Sequence, residues 1–156
     1  MNLILWLISL LIISGYLLYI VWRFGVQASV SDTYYKIKHK PVFSFVLIFT
    51  AFPLIILSST GLMFFAGAAL MFVAVSPAFM KHSLEKKVHT YSAFIAILFT
   101  ILSIIINFKM WWMVLPLITF SLIITLKVIK INNRIWWIEI VAFGQMYLTL
   151  FISKVI

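Results

Sequence analysis

Ten of the twelve lysine and arginine residues of this chain lie in three short gaps between long apolar runs, and these are every second gap. A helix needs about 20 mostly apolar residues to cross a bilayer, and basic residues near its ends are retained on the cytoplasmic side. The alternation therefore predicts an all-α fold, a polytopic transmembrane helix bundle, with gaps one, three and five in the cytoplasm.

The composition fits a membrane protein and leaves no room for a separate soluble domain. Of the 156 residues, 65% are hydrophobic and 10% are charged, whereas soluble domains carry about 25% charged residues. At about 20 residues for each crossing, the length allows about six spans with their loops. We therefore expect a single transmembrane domain over residues 1–156.

The six predicted spans are separated by charged or turn-forming residues. Pro41 suits the first turn of the second span, and a turn at 58–61 divides the second span from the third. The small residues at 66–69 should allow close packing of helices. The predicted spans cover residues about 2–22, 41–57, 61–80, 88–107, 110–126 and 135–153.

The basic residues predict the orientation of the bundle. With six spans and three basic gaps in the cytoplasm, both termini are expected outside it. The tryptophans all lie near predicted span ends, where interfacial aromatic residues concentrate. The first gap holds Arg23, Lys36, Lys38 and Lys40, the third holds Lys81, Lys86 and Lys87, the fifth holds Lys127, Lys130 and Arg134, and the opposite side holds only Lys109 and Lys154.

The net charge of +9 does not indicate a nucleic-acid partner, because the charges lie in loops beside apolar runs and not on a polar face. Membrane lipids are the expected partners, since basic residues near a membrane surface attract anionic head groups. The chain contains no cysteine, which excludes disulfides, thiolate metal sites and cysteine nucleophiles.

The few acids and histidines are the candidates for a functional site. Ionisable groups in or near a bilayer are costly to bury and mark functional sites by default. All three acids and all three histidines lie at or near the predicted cytoplasmic interface. We predict a polar cluster there, formed by Ser31, Asp32, His82, His89 and Glu139.

Each candidate also has a purely structural interpretation. Glu139 is either a buried carboxylate that accepts a proton or pairs with a base, or an interfacial acid paired with Arg134 or Lys130. Ser31 and Asp32 either line a polar pocket with the other candidates or cap a short interfacial helix. A serine nucleophile would need a base within hydrogen-bond reach, which the sequence does not show.

A metal site is the less favoured interpretation of the same residues. His82, Glu85 and His89 share one helix face if the fourth span extends backward. The two histidines would then be about 10 Å apart along the axis, too far for one Zn²⁺ with bonds of about 2 Å. A metal would need His89 with Asp32 or Glu139, so we expect no metal and no cofactor.

Two short stretches resemble segments of the Frag1/DRAM/Sfk1 family of six-span membrane proteins. One is Ala28-Ser29-Val30-Ser31, similar to a Pro-Ser-Ile-Ser-like segment with Ala28 in place of proline. The other is Val88-His89-Thr90-Tyr91-Ser92-Ala93-Phe94, similar to a Val-His-x-x-Gly-Ala-like stretch. The chain also resembles small uncharacterised membrane proteins of Bacteroidetes and their phages. The resemblance implies six spans, no cofactor and a lipid- or membrane-related role, and it supplies no catalytic residue.

The sequence favours a non-enzymatic integral protein of the bacterial inner (plasma) membrane. Its polar cluster would bind membrane lipids, another membrane protein or a second copy of the chain. Two alternatives stay open. A metal-dependent intramembrane lipid hydrolase or amidase predicts a bound metal. A small transporter or oligomeric channel predicts polar residues through the whole bilayer depth, whereas the outer halves of the spans are nearly all apolar.

Overall fold

The protein is all-helical over the residues that its computed structural model describes, which are 3–56, 61–76, 83–126 and 131–155. This part of the chain contains no β-strand. A 3-10 turn at Trp111–Met113 directly precedes the helix that begins at Val114. The helices are α1 (Leu3–Phe24), α2 (Thr33–Lys36), α3 (Pro41–Ile56), α4 (Gly61–Val75), α5 (Ser83–Ile106), α6 (Val114–Thr125) and α7 (Arg134–Val155).

Three of these helices are long and apolar enough to cross a membrane, within Ile4–Phe24, Lys87–Ile106 and Arg134–Ser153. Only 28%, 22% and 28% of their most apolar windows is buried inside the bundle. Most of their apolar surface therefore faces outward, as it does in helices that contact lipid. Three further helices, Pro41–Ile56, Gly61–Val75 and Trp111–Thr125, are apolar and shorter.

The predicted spans correspond in position to α1, α3, α4, α5, α6 and α7. Pro41 is the first residue of α3, as predicted from its missing amide hydrogen. The fourth predicted span, 88–107, agrees with the apolar stretch Lys87–Ile106, while the helix α5 itself begins earlier, at Ser83. Residues 77–80 of the third predicted span and the turn residues 58–60 lie outside the described residues.

The helices pack in a nearly sequential order that closes on itself. The helix α3 packs between α1 and α4, α4 packs on α5, and α6 packs on α7. The first and last helices meet through the indole of Trp6, whose Nε1 donates to the Tyr147 carbonyl oxygen at 3.2 Å. The hydroxyls of Ser9 and Tyr147 form a second hydrogen bond between them. The arrangement leaves a partly open cavity between α3, α4, α5, α6 and α7.

Two tryptophans are structural and not interfacial. Trp6 is 7% exposed and packs against the rings of Tyr147 and Phe151, while Trp136 is 2% exposed. Both lie near helix ends, yet they fill the interior of the bundle. Trp22, at 82% exposure, fits the expected interfacial position much better.

The helices α3 and α4 approach each other closely at Gly67, which confirms the packing role predicted for the small residues of α4. A Cβ atom built on Gly67 would lie 2.7 Å from the Ile55 side chain, 2.9 Å from Leu54 Cβ and 3.1 Å from the Ala51 carbonyl oxygen. A methyl group at this position would force α3 and α4 apart, because its contacts would be under 3 Å and a packed interior has no space to absorb it.

We expect Gly67→Ala to lower the free energy of unfolding by about 1–3 kcal/mol through overpacking. Gly144→Ala is the matched control, because nothing lies within 4 Å of a Cβ at that position. This control should gain about 0.5–1 kcal/mol from helix propensity. Thermal unfolding in detergent, followed by tryptophan fluorescence, compares the two variants. An unfolding temperature for Gly67→Ala at or above that of the parent would contradict the close contact.

Candidate functional site

A non-helical stretch of chain, residues 26–30, lies along the start of α7 and is called the docked segment. Alternate residues of this segment bond to α7. Asn133 Nδ2 donates to the Val26 carbonyl at 2.8 Å, the Trp136 amide donates to the Ala28 carbonyl at 3.2 Å, and the Val30 amide donates to Glu139 Oε2 at 2.6 Å.

These bonds satisfy backbone groups that no helix satisfies. The Trp136 amide is among the first amides of α7, which lack intrahelical acceptors. The docked segment is itself non-helical, so its polar groups need partners wherever lipid excludes water. Glu139 supplies the acceptor for the Val30 amide, and Val30 is 3% exposed. The carboxylate thus fixes the backbone position immediately before Ser31.

The chain reaches this position through a sharp turn after α1. Gly25 has a φ of 75°, the left-handed conformation that glycine adopts most easily after a helix. Its amide bonds to the Val21 carbonyl at 3.0 Å. The side-chain nitrogen of Gln27, Nε2, then donates to the carbonyls of Phe24 and Gly25, at 2.8 and 2.9 Å. The end of α1 is therefore closed, and the chain turns toward α7.

Ser31 and His89 are hydrogen bonded, although 58 residues separate them in sequence. The Ser31 hydroxyl oxygen lies 2.9 Å from His89 Nε2. On the other side of the ring, Nδ1 lies 2.6 Å from the hydroxyl oxygen of Ser76, just beyond the end of α4. The His89 side chain is buried, at 9% exposure. One imidazole thus joins the loop after α1 to the ends of α4 and α5.

Asp32 lies beside this group, but it does not act as the expected cap. It is the residue before α2, and its side chain makes no capping hydrogen bond. The Asp32 amide instead donates to the Ser29 hydroxyl at 3.1 Å. Asp32 is near enough for its charge to act on both His89 and Glu139. The turn is held by Thr33, which donates to the Val30 carbonyl at 2.6 Å.

The structure therefore brings four of the five predicted cluster residues to one end of the bundle. Ser31 and His89 are in direct contact, Glu139 joins them through the backbone of Val30, and Asp32 is close to both. The fifth, His82, lies outside the described residues, and so does the Glu85 side chain.

The Glu139 carboxylate contacts the Val30 amide and not the Arg134 guanidinium suggested as its partner, within the part of the chain that is described. Lys130, the other suggested partner, lies outside that part. The carboxylate is therefore used to hold backbone in place.

The arrangement does not favour a metal at these residues. Within the described ranges, no group of three or more histidine, aspartate or glutamate side chains is close enough to hold an ion. His89 uses both ring nitrogens on serine hydroxyls, so binding a metal would break one of these bonds. The His89 imidazole is thus hydrogen bonded on both sides and is not a free ligand.

Ser31 and Glu139 lie at one end of an apolar cavity. The cavity has about 800 Å³ of free space, counting the part that opens to the surroundings. Sixteen of its twenty lining residues are apolar, and it runs along α5 from Ala93 to Ile104. That distance is about 16 Å at 1.5 Å per residue, roughly the depth of one leaflet of a bilayer with a 30 Å core.

Two polar residues that the sequence analysis did not assign to the site belong to this region. Ser76 was inside a long apolar run with no pattern to single it out, and it is the second partner of His89. Gln145 was one of several scattered polar residues, and it lines the cavity at 8% exposure. Its side-chain amide forms no hydrogen bond to the described residues. Ser76 joins the site through His89 and Gln145 joins it through the cavity, and no periodicity in the sequence reveals either relationship.

Basic residues lie in the connections at the polar end of the bundle. Three connections meet there, because the docked segment contacts α7 and Ser31 contacts His89 near the start of α5. The described basic residues of these connections are Arg23, Lys36, Lys38, Lys40, Lys87 and Arg134. Lys109 lies between α5 and α6, at the other end of α5.

No family model, curated protein or solved structure matches this chain. The resemblance of the stretches at 28–31 and 88–94 to the Frag1/DRAM/Sfk1 family stays a prediction.

We expect Glu139→Leu to loosen the docked segment, because the Val30 amide loses its acceptor at a cost of about 1–3 kcal/mol. Glu139→Gln is the matched control, since its amide oxygen can accept the same hydrogen bond. Hydrogen exchange resolved to residues 26–32 measures the effect. Exchange at Val30 should be faster in Glu139→Leu than in Glu139→Gln. Equal exchange in the two variants would show that the carboxylate does not hold this backbone.

Proposed function

We propose that this protein is an integral membrane protein that binds one membrane lipid, with an acyl chain in the cavity and the polar head at the Ser31–Glu139 end. The observation that carries the proposal is the cavity itself, which is apolar along its length and polar at one end. Ligand sites that are mostly apolar with a few convergent polar groups are the usual form for small-molecule binding.

The charges at the polar end favour a lipid with an anionic head group. Lys87 precedes His89 by two residues on α5, and Arg134 precedes Glu139 by five on α7. Each basic residue near a membrane surface attracts anionic lipid by about 1 kcal/mol. A head group would meet the basic residues first and the hydroxyl, imidazole and carboxylate groups next, while its chain enters the apolar space beyond them.

The same lining argues against a water-filled transport path. Ser31, Thr100, Glu139 and Gln145 are the polar residues among those that line the cavity. The hydroxyl of Thr100 is already bonded to the Ala96 carbonyl at 2.8 Å. A conducting pore needs polar groups that replace the water around its cargo along the whole path. Binding therefore accounts for the cavity better than conduction does.

The orientation in the membrane is part of the proposal. In our proposal six helices cross the bilayer of a bacterial inner (plasma) membrane, with the Ser31 end in the cytoplasm and both termini outside. Support comes from the structure in one respect, since the first, third and fifth gaps meet at one end of the bundle through Ser31, His89 and Glu139. The excess of basic residues in these gaps sets the direction.

Photocrosslinking tests lipid binding. The intact protein is placed in liposomes with a phosphatidylglycerol whose acyl chain carries a diazirine, and labelled residues are located by peptide mass spectrometry. Leu47 and Met146 line the cavity at 2% and 4% exposure, so bilayer lipid outside the protein does not reach them. Leu18, at 70% exposure, reports contact with that surrounding lipid. We expect label on all three.

Ala142→Phe should block the cavity and remove the label from Leu47 and Met146 while Leu18 stays labelled, because Ala142 lines the cavity. Leu148→Phe is the matched control on the same helix, since Leu148 is 51% exposed and faces away from the interior. Label on Leu18 without label on Leu47 or Met146 in the parent protein would overturn the proposal.

Cysteine accessibility tests the orientation, and the parent chain contains no cysteine to interfere. In membranes whose cytoplasmic face is exposed, a membrane-impermeant maleimide should label Lys38→Cys and Lys87→Cys. In the opposite orientation it should label Lys109→Cys, because Lys109 lies at the other end of α5. Labelling of positions 38 and 87 from opposite sides would be incompatible with the bundle, and labelling of both from outside would reverse its direction.

A further inference from the structure

The distance between Ser31 and His89 is that of a nucleophile and its base. The Ser31 hydroxyl oxygen is 2.9 Å from His89 Nε2 and also lines the cavity. A serine attacks an acyl group only when a base within about 2.6–3.2 Å takes its proton. Ser31 therefore has both a base in reach and access to the space in which a lipid chain would lie.

The hydrogen bonds of His89 fit the tautomer whose lone pair faces Ser31. The Ser76 hydroxyl lies 2.6 Å from Nδ1 and also donates to the Val73 carbonyl at 3.2 Å. A serine hydroxyl has one proton and a carbonyl only accepts. With the Ser76 proton on the Val73 carbonyl, Nδ1 donates the ring proton to the Ser76 oxygen and Nε2 accepts the proton of Ser31.

We propose that Ser31 and His89 hydrolyse the ester bond of an acyl lipid, with Ser31 as nucleophile and His89 as general base. This inference rests on the proposed function, because the cavity must hold the acyl chain for its ester to lie at Ser31. The substrate class is a carboxylic ester of a long-chain fatty acid, and the second reactant is water.

The reaction balances without a redox step. The Ser31 oxygen bonds to the ester carbonyl carbon as its proton moves to His89 Nε2. The bond from that carbon to the alcohol oxygen breaks, and the departing oxygen takes the proton from His89. Water then attacks the acyl group on Ser31 and gives a proton to His89. That proton returns to the Ser31 oxygen as the fatty acid leaves, which regenerates both residues.

The neighbouring groups have supporting roles in this reaction. Ser76 is a positioning residue, since its hydroxyl holds the His89 ring with Nε2 toward Ser31. Asp32 places a negative charge near the ring, which stabilises the imidazolium formed after proton transfer. Glu139 fixes the Val30 amide and so the backbone just before the nucleophile.

A long-chain alkyl fluorophosphonate tests the pair, because it reacts with an activated serine and occupies the place of an acyl chain. The intact protein in liposomes is treated with it, and the adduct is located by peptide mass spectrometry. We expect the adduct on Ser31, its loss in Ser31→Ala, and labelling slower by about 100-fold or more in His89→Ala. Ser92→Ala is the control and should react like the parent, since Ser92 does not line the cavity.

The positioning role of Ser76 has its own variants, which also guard against a misfolded His89→Ala. Ser76→Ala keeps the imidazole and removes its holder, so labelling of Ser31 should slow. Ser76→Thr restores a hydroxyl and should restore the rate. Equal rates in Ser76→Ala and Ser76→Thr would remove Ser76 from the mechanism.

Release of fatty acid from phosphatidylglycerol in the same liposomes completes the test and should vanish in Ser31→Ala. No adduct on Ser31, an equal rate in His89→Ala, or no release by the parent overturns the hydrolase. These results are distinct from failure of lipid binding. A protein photolabelled at Leu47 and Met146 that shows neither adduct nor release binds a lipid without cleaving it. A protein with the adduct and without the photolabel contradicts the cavity as the lipid site.

Discussion

The bond between the Val30 amide and the Glu139 carboxylate is the interaction on which the rest of the site depends. Non-helical backbone near lipid is tolerated only when other parts of the protein satisfy its polar groups. The docked segment meets this requirement at three alternate residues, all of them bonded to the first turns of α7. Ser31 follows this fixed stretch, so backbone contacts contribute to its position before its own side chain bonds to anything.

From that fixed point, the polar side chains form a connection across the bundle. Ser31 bonds to His89 near the start of α5, and His89 bonds to Ser76 beyond the end of α4. Breaking either bond leaves a polar group of a buried imidazole unpaired, which costs about 1–3 kcal/mol. The cluster therefore contributes to folding whatever its chemistry, whereas a catalytic role also requires that Nε2 be the unprotonated nitrogen.

The helices were predictable from the lengths of the apolar runs and from the turn residues, whereas most contacts of the site were not. Pro41 begins α3 and Gly67 lies at a close contact of α3 with α4, as local chemistry predicted. The cluster was predicted only as a set of polar residues near one interface. Val30 and Glu139 are 109 residues apart, and no period or motif in one sequence encodes such a pair. Ser76 was missed for the same reason, since a single serine at the end of an apolar run usually bonds its own helix.

The order of chemistry along α5 and α7 is what connects the polar end to a lipid. Both helices begin at that end of the bundle, and each carries a basic residue, then a buried or half-buried ionisable residue, then the apolar cavity wall. On α5 these are Lys87 and His89, and on α7 they are Arg134 and Glu139. A lipid has the same order along its length, from charged head through polar ester to acyl chain. Two helices far apart in sequence repeat this order around one cavity. A bound lipid explains the whole order on both helices, whereas an interfacial role for Glu139 or for His89 explains only that one residue.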